Sequence, residues 1–186
     1  MMKRLQLTST VALALALFTL AFAATATEVR AEFTKRDADA LAQTTKIFVG
    51  TVRKDGNQSR AAEVWFTTGA DGTVLIQTPP ATWKAKRIGR GSPAIVWIGA
   101  ENGPAFIGKA EITREAAAIQ KILDDFRERY LMNRIGGVGP SRAKFDAGRV
   151  IAIKITPVRD LPDGFASEPG KPAPRIDNAA STAESE

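Results

Sequence analysis

Runs of β-branched, aromatic and other apolar residues, broken by short polar turns, dominate the middle of the chain. Such runs are typical of β-strands. Asp55-Gly56 and Asn102-Gly103 lie between successive runs, and both dipeptides favour the tight turns of β-hairpins. The pattern therefore predicts six antiparallel strands, the first three of which form a meander. The six runs occupy residues 46–53, 59–68, 73–78, 94–98, 104–112 and 148–156.

One stretch has the period of a helix. Apolar residues recur at steps of three and four between Ala116 and Tyr130, which predicts an amphipathic helix with one buried face. Thr113 is a suitable N-cap for it. A weaker helical pattern covers residues 32–43, and residues 138–147 are predicted to form a polar loop. Hairpin-linked strands with one or two helices predict a mainly β fold, a six-stranded antiparallel barrel with peripheral helices.

The N-terminus has the pattern of an export signal. Lys3-Arg4 precedes an apolar core at Val11–Ala24, and small residues suited to cleavage follow, with the cut after Ala26 or Ala31 left open. The apolar core of about 14 residues is shorter than the roughly 20 that span a bilayer. We therefore expect residues 1–31 to be a cleaved signal, and the mature protein to be periplasmic or secreted without a stable membrane span.

The C-terminus changes composition at Pro162. Beyond it the chain is rich in Pro, Ala, Ser and charge, and Ile176 is the only large apolar residue after Pro169. Such a segment buries too little apolar surface to order itself. We therefore expect residues 162–186 to be a disordered tail and residues 32–161 to be the barrel domain.

The composition removes several classes of active site. The chain has no histidine and no cysteine, which excludes Ser-His and Cys-His nucleophilic pairs and histidine-ligated zinc or haem. Its carboxylates are not clustered as a Ca²⁺ site requires, so no metal site is expected. The net charge of +6 is mild for 186 residues, and no nucleic-acid partner is expected.

A short cationic segment lies between the third and fourth predicted strands. No acidic residue occurs between Asp71 and Glu101, whereas four cations cluster there: Lys84, Lys86, Arg87 and Arg90. Arg offers phosphate a planar fork and Lys a compact charge, and the hydroxyls of Thr78 and Thr82 can add hydrogen bonds. If residues 81–88 form a short helix, its first N–H groups would favour an anion further. The alternative is a solvated basic turn without a ligand.

The large aromatic residues allow two interpretations. Trp65, Phe66 and Trp83 stand near the basic segment in sequence, and they could line a flat ring or belong to the barrel core. Trp97 lies between Val96 and Ile98 within a strand, which favours a place in the core.

The order of these features resembles a known family. A strand ending in Val64-Trp65-Phe66 is followed by a strand ending in Thr78 and by T-W-K-x-K-R at residues 82–87. The series continues through Gly108–Ile112, the end of the predicted helix and the closing strand. This order resembles the pyridoxamine 5′-phosphate oxidase-like, FMN-binding split-barrel family, including its deazaflavin-dependent relatives. The resemblance covers roughly residues 44–159.

The resemblance implies a homodimer that binds FMN, or alternatively the deazaflavin F420, at the subunit interface. Thr82 and Lys84 match the family's Ser/Thr-x-Lys phosphate contacts, and Arg87 matches its following basic residue. Gln77-Thr78 matches the strand end beside the cofactor, and Trp65-Phe66 matches residues near the ring. The expected cofactor-binding residues are therefore Trp65, Phe66, Gln77, Thr78, Thr82, Lys84, Lys86 and Arg87.

The implied function is that of an exported FMN- or F420-dependent oxidoreductase that transfers hydride between the bound ring and a small molecule. The missing histidine counts against pyridoxamine phosphate oxidase activity itself and against haem binding. The alternative is a non-catalytic split barrel that has lost its cofactor and binds a ligand or a protein partner.

Overall fold

The computed structural model describes residues 38–69, 71–130 and 139–176. Residues 38–42 are helical. The strands in this part of the chain are β1 (Ile47–Thr51), β2 (Ala62–Val64), β3 (Phe66–Thr68), β4 (Val74–Thr78), β5 (Ala94–Ile98), β6 (Ala105–Thr113) and β7 (Ile151–Asp160). The helices are α1 (Trp83–Ile88), α2 (Ala116–Arg129) and α3 (Arg142–Asp146).

All seven strands belong to one antiparallel sheet in the order β2-β1-β5-β6-β7-β4-β3. The two edge strands, β2 and β3, are separated in the chain by Trp65 alone. Because one residue links the two edges, the sheet curls into a nearly closed barrel, which leaves few unpaired edge groups. The mainly β barrel fold is thus confirmed.

The prediction of six strands is wrong in one place. The run at 59–68 forms two short strands with different partners: Glu63 of β2 pairs with Phe48 of β1, and Phe66 of β3 pairs with Ile76 of β4. A single strand that closes a barrel must change partners along its length, and the chain makes this change at Trp65. The alternation pattern shows where a strand can run but not where it changes partner.

Alternate strand positions fill the barrel. Ile47 and Val49 of β1, Ile76 of β4 and Phe106 of β6 are almost fully buried, as expected for inward positions of a small barrel. Two groups of apolar residues cover outer surfaces. One lies beneath α2 and contains Leu75, Ile122, Phe126, Tyr130 and Ala152. The other contains Ala61, Ile95, Trp97, Ala105, Ile107 and Leu161.

The predicted disordered tail is wrong for residues 162–176. Phe165, Ala173 and Ile176 pack against the second outer group, and the indole N–H of Trp97 donates to the carbonyl of Phe165 at 2.8 Å. Ala173 N–H also donates to the carbonyl of Gly56 at 3.0 Å. Its composition predicts disorder because the segment has too few apolar residues to form a core of its own. It is ordered because these few residues pack on apolar surface of the barrel.

Smaller differences concern the end of the barrel domain. The predicted loop 138–147 contains α3, whose N-cap Ser141 accepts a hydrogen bond from Lys144 N–H. The last strand begins at Ile151 and continues to Asp160, beyond the predicted range. The predicted export signal, the cleavage positions and residues 177–186 of the tail lie outside the described residues. No helix in the described part of the chain is long and apolar enough to cross a membrane.

Candidate functional site

Helix α1 follows β4 and contacts β1 and β6. Ala85 and Ile88 are its buried residues. The Thr82 hydroxyl caps the helix by accepting from Ala85 N–H at 3.3 Å, and no acidic residue lies in the first turn. The sequence favours this geometry because Pro79-Pro80 ends the strand and a threonine N-cap then starts the helix. The predicted basic turn is therefore a short cationic helix beside the barrel.

Two buried threonines lie beside α1. Thr78 ends β4, and its hydroxyl is 3.2 Å from that of Thr82. Thr51 ends β1, and its hydroxyl is 3.1 Å from that of Ser59. The guanidinium of Arg87 donates to the Thr51 hydroxyl at 3.4 Å. Thr78 therefore contacts the N-terminal end of α1 through Thr82, and Thr51 contacts its C-terminal end through Arg87.

Lys84 is half-buried. Burial lowers the pKa of its ammonium from 10.5 to about 8, and no charged partner contributes to the shift. No ion pair between Lys84 and a carboxylate occurs among the residues that the structure describes. A cation that has lost water without gaining an acidic neighbour favours a bound anion.

Trp83 lies on the exposed side of α1 and is 66% exposed. The ammonium of Lys86 is 5.1 Å from the centre of its ring, and the guanidinium carbon of Arg87 is 5.7 Å from it. Both are cation–π distances. Trp83 is therefore outside the core, and its ring organises two of the predicted cations.

Gln77 and Thr78 face opposite sides of the sheet, as successive strand residues do. Gln77 pairs with Ala152, which belongs to the apolar group beneath α2. Its side-chain oxygen is buried and accepts no hydrogen bond from any described residue. Gln77 and Thr78 therefore do not contact the same side of the sheet, so the two side chains cannot bind one phosphate together.

Trp65 and Phe66 make their contacts with α2 and the residue after it. The ring of Trp65 stacks on that of Tyr130 with 4.7 Å between centres. Phe66 is fully buried, and the guanidinium carbon of Arg129 lies 4.6 Å from the centre of its ring. Tyr130 hydroxyl accepts from Phe66 N–H at 3.0 Å. Phe66 is thus a core residue in this arrangement, and one side of Trp65 is already covered.

Two neighbouring cavities share Val52, Gly91 and Pro93, and the smaller one reaches Arg87 of α1. The smaller, about 230 Å³, is lined by Arg53, Lys54, Arg87, Arg90 and Ser92 together with Val52, Gly91 and Pro93. The larger, about 1020 Å³, is lined by residues that include Lys109, Ala110, Val158 and Ile176. Sequence reasoning noted Arg90 in the basic segment but missed Arg53 and Lys54. The one sequence feature that could have indicated Arg53 and Lys54 is their position at the end of the first predicted strand.

The charge and hydroxyl groups around α1 fit a phosphate. The partly desolvated ammonium of Lys84 has no carboxylate partner among the described residues, and ammonium, hydroxyl and guanidinium groups are donors that recognise phosphate oxygens. The aromatic residues fit a ring less well, because Phe66 is buried and Trp65 is stacked on Tyr130. Among the described residues, no group of three or more His, Cys, Asp or Glu side chains is placed to hold a metal ion.

Comparisons with known proteins give a likeness of structure. No protein-family model matches the chain, and no curated protein matches it in sequence. A provisionally assigned pyridoxamine 5′-phosphate oxidase from Listeria innocua is similar with a TM-score of 0.51 and 15% identity, over 69% of this chain and 96% of that chain. A conserved hypothetical protein from Mycobacterium tuberculosis is similar with a TM-score of 0.51 and 18% identity, over 68% of this chain and 81% of that chain. The resemblance to the split-barrel proteins is thereby confirmed at the level of the fold.

Proposed function

We propose that this chain binds a phosphate-bearing cofactor of the flavin type, FMN or alternatively F420, and acts as an oxidoreductase on a small molecule. Thr78, Thr82, Lys84 and Arg87 would hold the phosphate beside α1. The observation that carries the proposal is the half-buried ammonium of Lys84, which has no carboxylate partner in the described part of the chain.

The energetics of Lys84 favour an anion in this place. Removing an ammonium from water is costly unless an opposite charge compensates it. A phosphate would raise the pKa of Lys84 back toward its ordinary value, and this recovered free energy would contribute to binding. The hydroxyls of Thr78 and Thr82 would donate to the phosphate. For this, Thr82 would exchange its present bond to the carbonyl of Pro79, which is 3.0 Å long, for one to a phosphate oxygen.

The likeness to a structure from Listeria innocua that is provisionally assigned as a pyridoxamine 5′-phosphate oxidase supports a redox role. When bound, the ring system would supply the hydride or electron transfer, and the protein would supply binding and orientation. Lys84 and Arg87 would neutralise the phosphate, and Trp83 would hold the guanidinium of Arg87 beside it. The chain would act as an exported homodimer, as the resemblance and the N-terminal pattern imply.

Cofactor titration tests this proposal. The purified full chain is titrated with FMN and, separately, F420, and binding is followed in the visible spectrum. We expect micromolar or tighter binding of one of them, and a loss of about tenfold or more in Lys84→Ala, because a charge-assisted contact contributes roughly 1.5–3 kcal/mol. Lys46→Ala removes an exposed lysine that pairs with Glu63 and should bind normally. Absence of binding, or equal affinity in the two variants, would contradict the proposal.

A non-catalytic binding role is the second candidate, and the packing of Trp65 and Phe66 favours it. If these rings stay covered, the barrel has lost the surface that the resemblance assigns to the cofactor ring. In that case neither FMN nor F420 raises the melting temperature of the protein. An increase of several degrees with either compound would exclude this second candidate.

A further inference from the structure

A second concentration of positive charge lies beside the proposed cofactor site. The smaller cavity, called here the basic pocket, is lined by Arg53, Lys54, Arg87, Arg90 and Ser92 together with Val52, Gly91 and Pro93. Its residues come from the end of β1, the C-terminal end of α1 and the turn that leads into β5. None of the lining residues is acidic. Four cations around one cavity repel each other unless an anion lies between them.

The charges of the basic pocket are only partly compensated. Arg53 pairs with the exposed carboxylate of Asp55 at 3.3 Å, and Asp55 lines the neighbouring larger cavity. Lys54, Arg87 and Arg90 form no ion pair with a carboxylate among the described residues. A net positive charge therefore remains around the cavity.

Hydrogen bonds fix the walls of the basic pocket. The hydroxyl of Ser92 accepts from Val52 N–H at 3.0 Å and lies 3.1 Å from the Val52 carbonyl. Ser92 N–H donates to the carbonyl of Arg87 at 3.0 Å, and the Arg87 side chain donates to Thr51. The hairpin residues, the helix end and the strand start are thus tied together. A site with fixed walls loses less conformational entropy on binding than a mobile one.

Size determines what the basic pocket can take. At about 230 Å³ it is smaller than the roughly 300–1,000 Å³ of sites that enclose whole small molecules. It shares Val52, Gly91 and Pro93 with the cavity of about 1020 Å³. That larger cavity, called here the groove, has a partly apolar lining that includes Ala110, Val158 and Ile176. The two cavities together suit a molecule with a small anionic end and a larger, less polar body.

We infer that the basic pocket is a second anion site, which binds the phosphate or carboxylate group of a small organic molecule whose body lies in the groove. It is separate from the phosphate site at Thr78, Thr82 and Lys84, and Arg87 lies between the two. Arg90 and Lys54 provide the charge that is specific to it. The C-terminal segment, which contributes Ile176 to the groove, becomes part of the binding surface.

Three simple probes test this inference on the full chain by calorimetric titration: phenyl phosphate, benzoate and phenol. We expect the two anions to bind and phenol to bind at least tenfold more weakly. In the double variant Lys54→Ala, Arg90→Ala, the affinity for the preferred anion should fall about tenfold or more. Arg127→Ala removes an exposed cation on α2 and serves as the matched control. A higher affinity for phenyl phosphate or for benzoate identifies the anionic group. Equal affinity for phenol, no binding of any probe, or an unchanged affinity in the double variant overturns the inference.

Cofactor titration of the same variants separates this site from the proposed cofactor site. Lys84→Ala should lower the affinity for FMN or F420 and leave the affinity for the preferred probe unchanged. The double variant should lower the affinity for the probe and leave the affinity for the cofactor unchanged. If the double variant loses cofactor affinity as strongly as Lys84→Ala does, the pocket belongs to the cofactor site and the inference of a second site is wrong. If no cofactor binds but the anionic probes bind as described, the second site stands without the proposed function.

Discussion

The hydroxyl of Thr78, at the end of β4, lies 3.2 Å from the hydroxyl of Thr82, the N-cap of α1. Thr82 also donates to the carbonyl of Pro79 at 3.0 Å and accepts from Ala85 N–H at 3.3 Å. One side chain therefore joins the strand, the proline turn and the helix. The position of every cation on α1 depends on this junction.

Replacing Thr82 tests that dependence. Thr82→Ala removes the helix cap and the contact with Thr78, so we expect the free energy of unfolding to fall by about 1 kcal/mol, the usual value for a lost cap. Urea denaturation measures the change. Thr82→Ser keeps the hydroxyl and should lose much less. An equal loss in the two variants would show that the methyl group of Thr82 matters and its hydroxyl does not.

The depressed pKa of Lys84 predicts a pH dependence of stability. In the folded protein this pKa is about 8 and in the unfolded chain about 10.5. Between these values the unfolded chain binds more protons, so the free energy of unfolding rises with pH. Below pH 8 the lysine is charged in both states, and the cost of burying its charge is fully present.

Lys84→Met removes this cost while keeping a long apolar side chain. At pH 7 we expect the variant without ligand to be more stable than the natural protein by about 1–3 kcal/mol, since each unit of pKa shift corresponds to about 1.4 kcal/mol. Its stability should also lose the rise above pH 8. Denaturation curves at pH 7, 8, 9 and 10 measure both effects, and parallel profiles for the two proteins would contradict the assignment to Lys84.

Tyr130 gives a test of the packing around Trp65 and Phe66. Its hydroxyl accepts from Phe66 N–H at 3.0 Å and lies 2.8 Å from the carbonyl of Thr45. Tyr130→Phe keeps the ring stacked on Trp65 but leaves the buried N–H of Phe66 without its partner. We expect a loss of about 1–3 kcal/mol in the free energy of unfolding. A neutral result would show that water replaces the hydroxyl.

The C-terminal segment is expected to stabilise the barrel through Trp97. Truncation after Leu161 removes Phe165, whose ring is stacked on that of Trp97 with 6.2 Å between centres and whose carbonyl accepts from the indole N–H. We expect a loss of about 2 kcal/mol or more from the exposed apolar surface and the lost hydrogen bond, and a red shift of tryptophan emission.

Truncation after Ile176 is the matched control for that prediction. It keeps every C-terminal contact that the structure describes, so its stability and emission should equal those of the full chain. If both truncations leave stability unchanged, residues 162–176 do not hold the fold together.

Local patterns were enough for several parts of this protein. The alternation of apolar residues and the Asp-Gly and Asn-Gly turns predict the strands, and the helical period predicts α2, whereas a short helix in the basic segment is only one of two possibilities that the sequence leaves open. The grouping of cations in one acid-free stretch gave Lys84 and Arg87. These features depend on residues within a few positions of each other along the chain, so they can be predicted from the sequence alone.

The remaining parts depend on contacts between distant residues, which only the tertiary structure decided. The strand at 59–68 divides because a closing barrel forces a change of partner at Trp65. Residues 163–176 are ordered because Phe165 contacts Trp97, 68 positions away in sequence. Gln77 faces the opposite side of the sheet from Thr78, since successive strand residues alternate, and Phe66 is fully buried in the core. The sequence by itself determined which groups are present, and the closing of the barrel decided which of them meet.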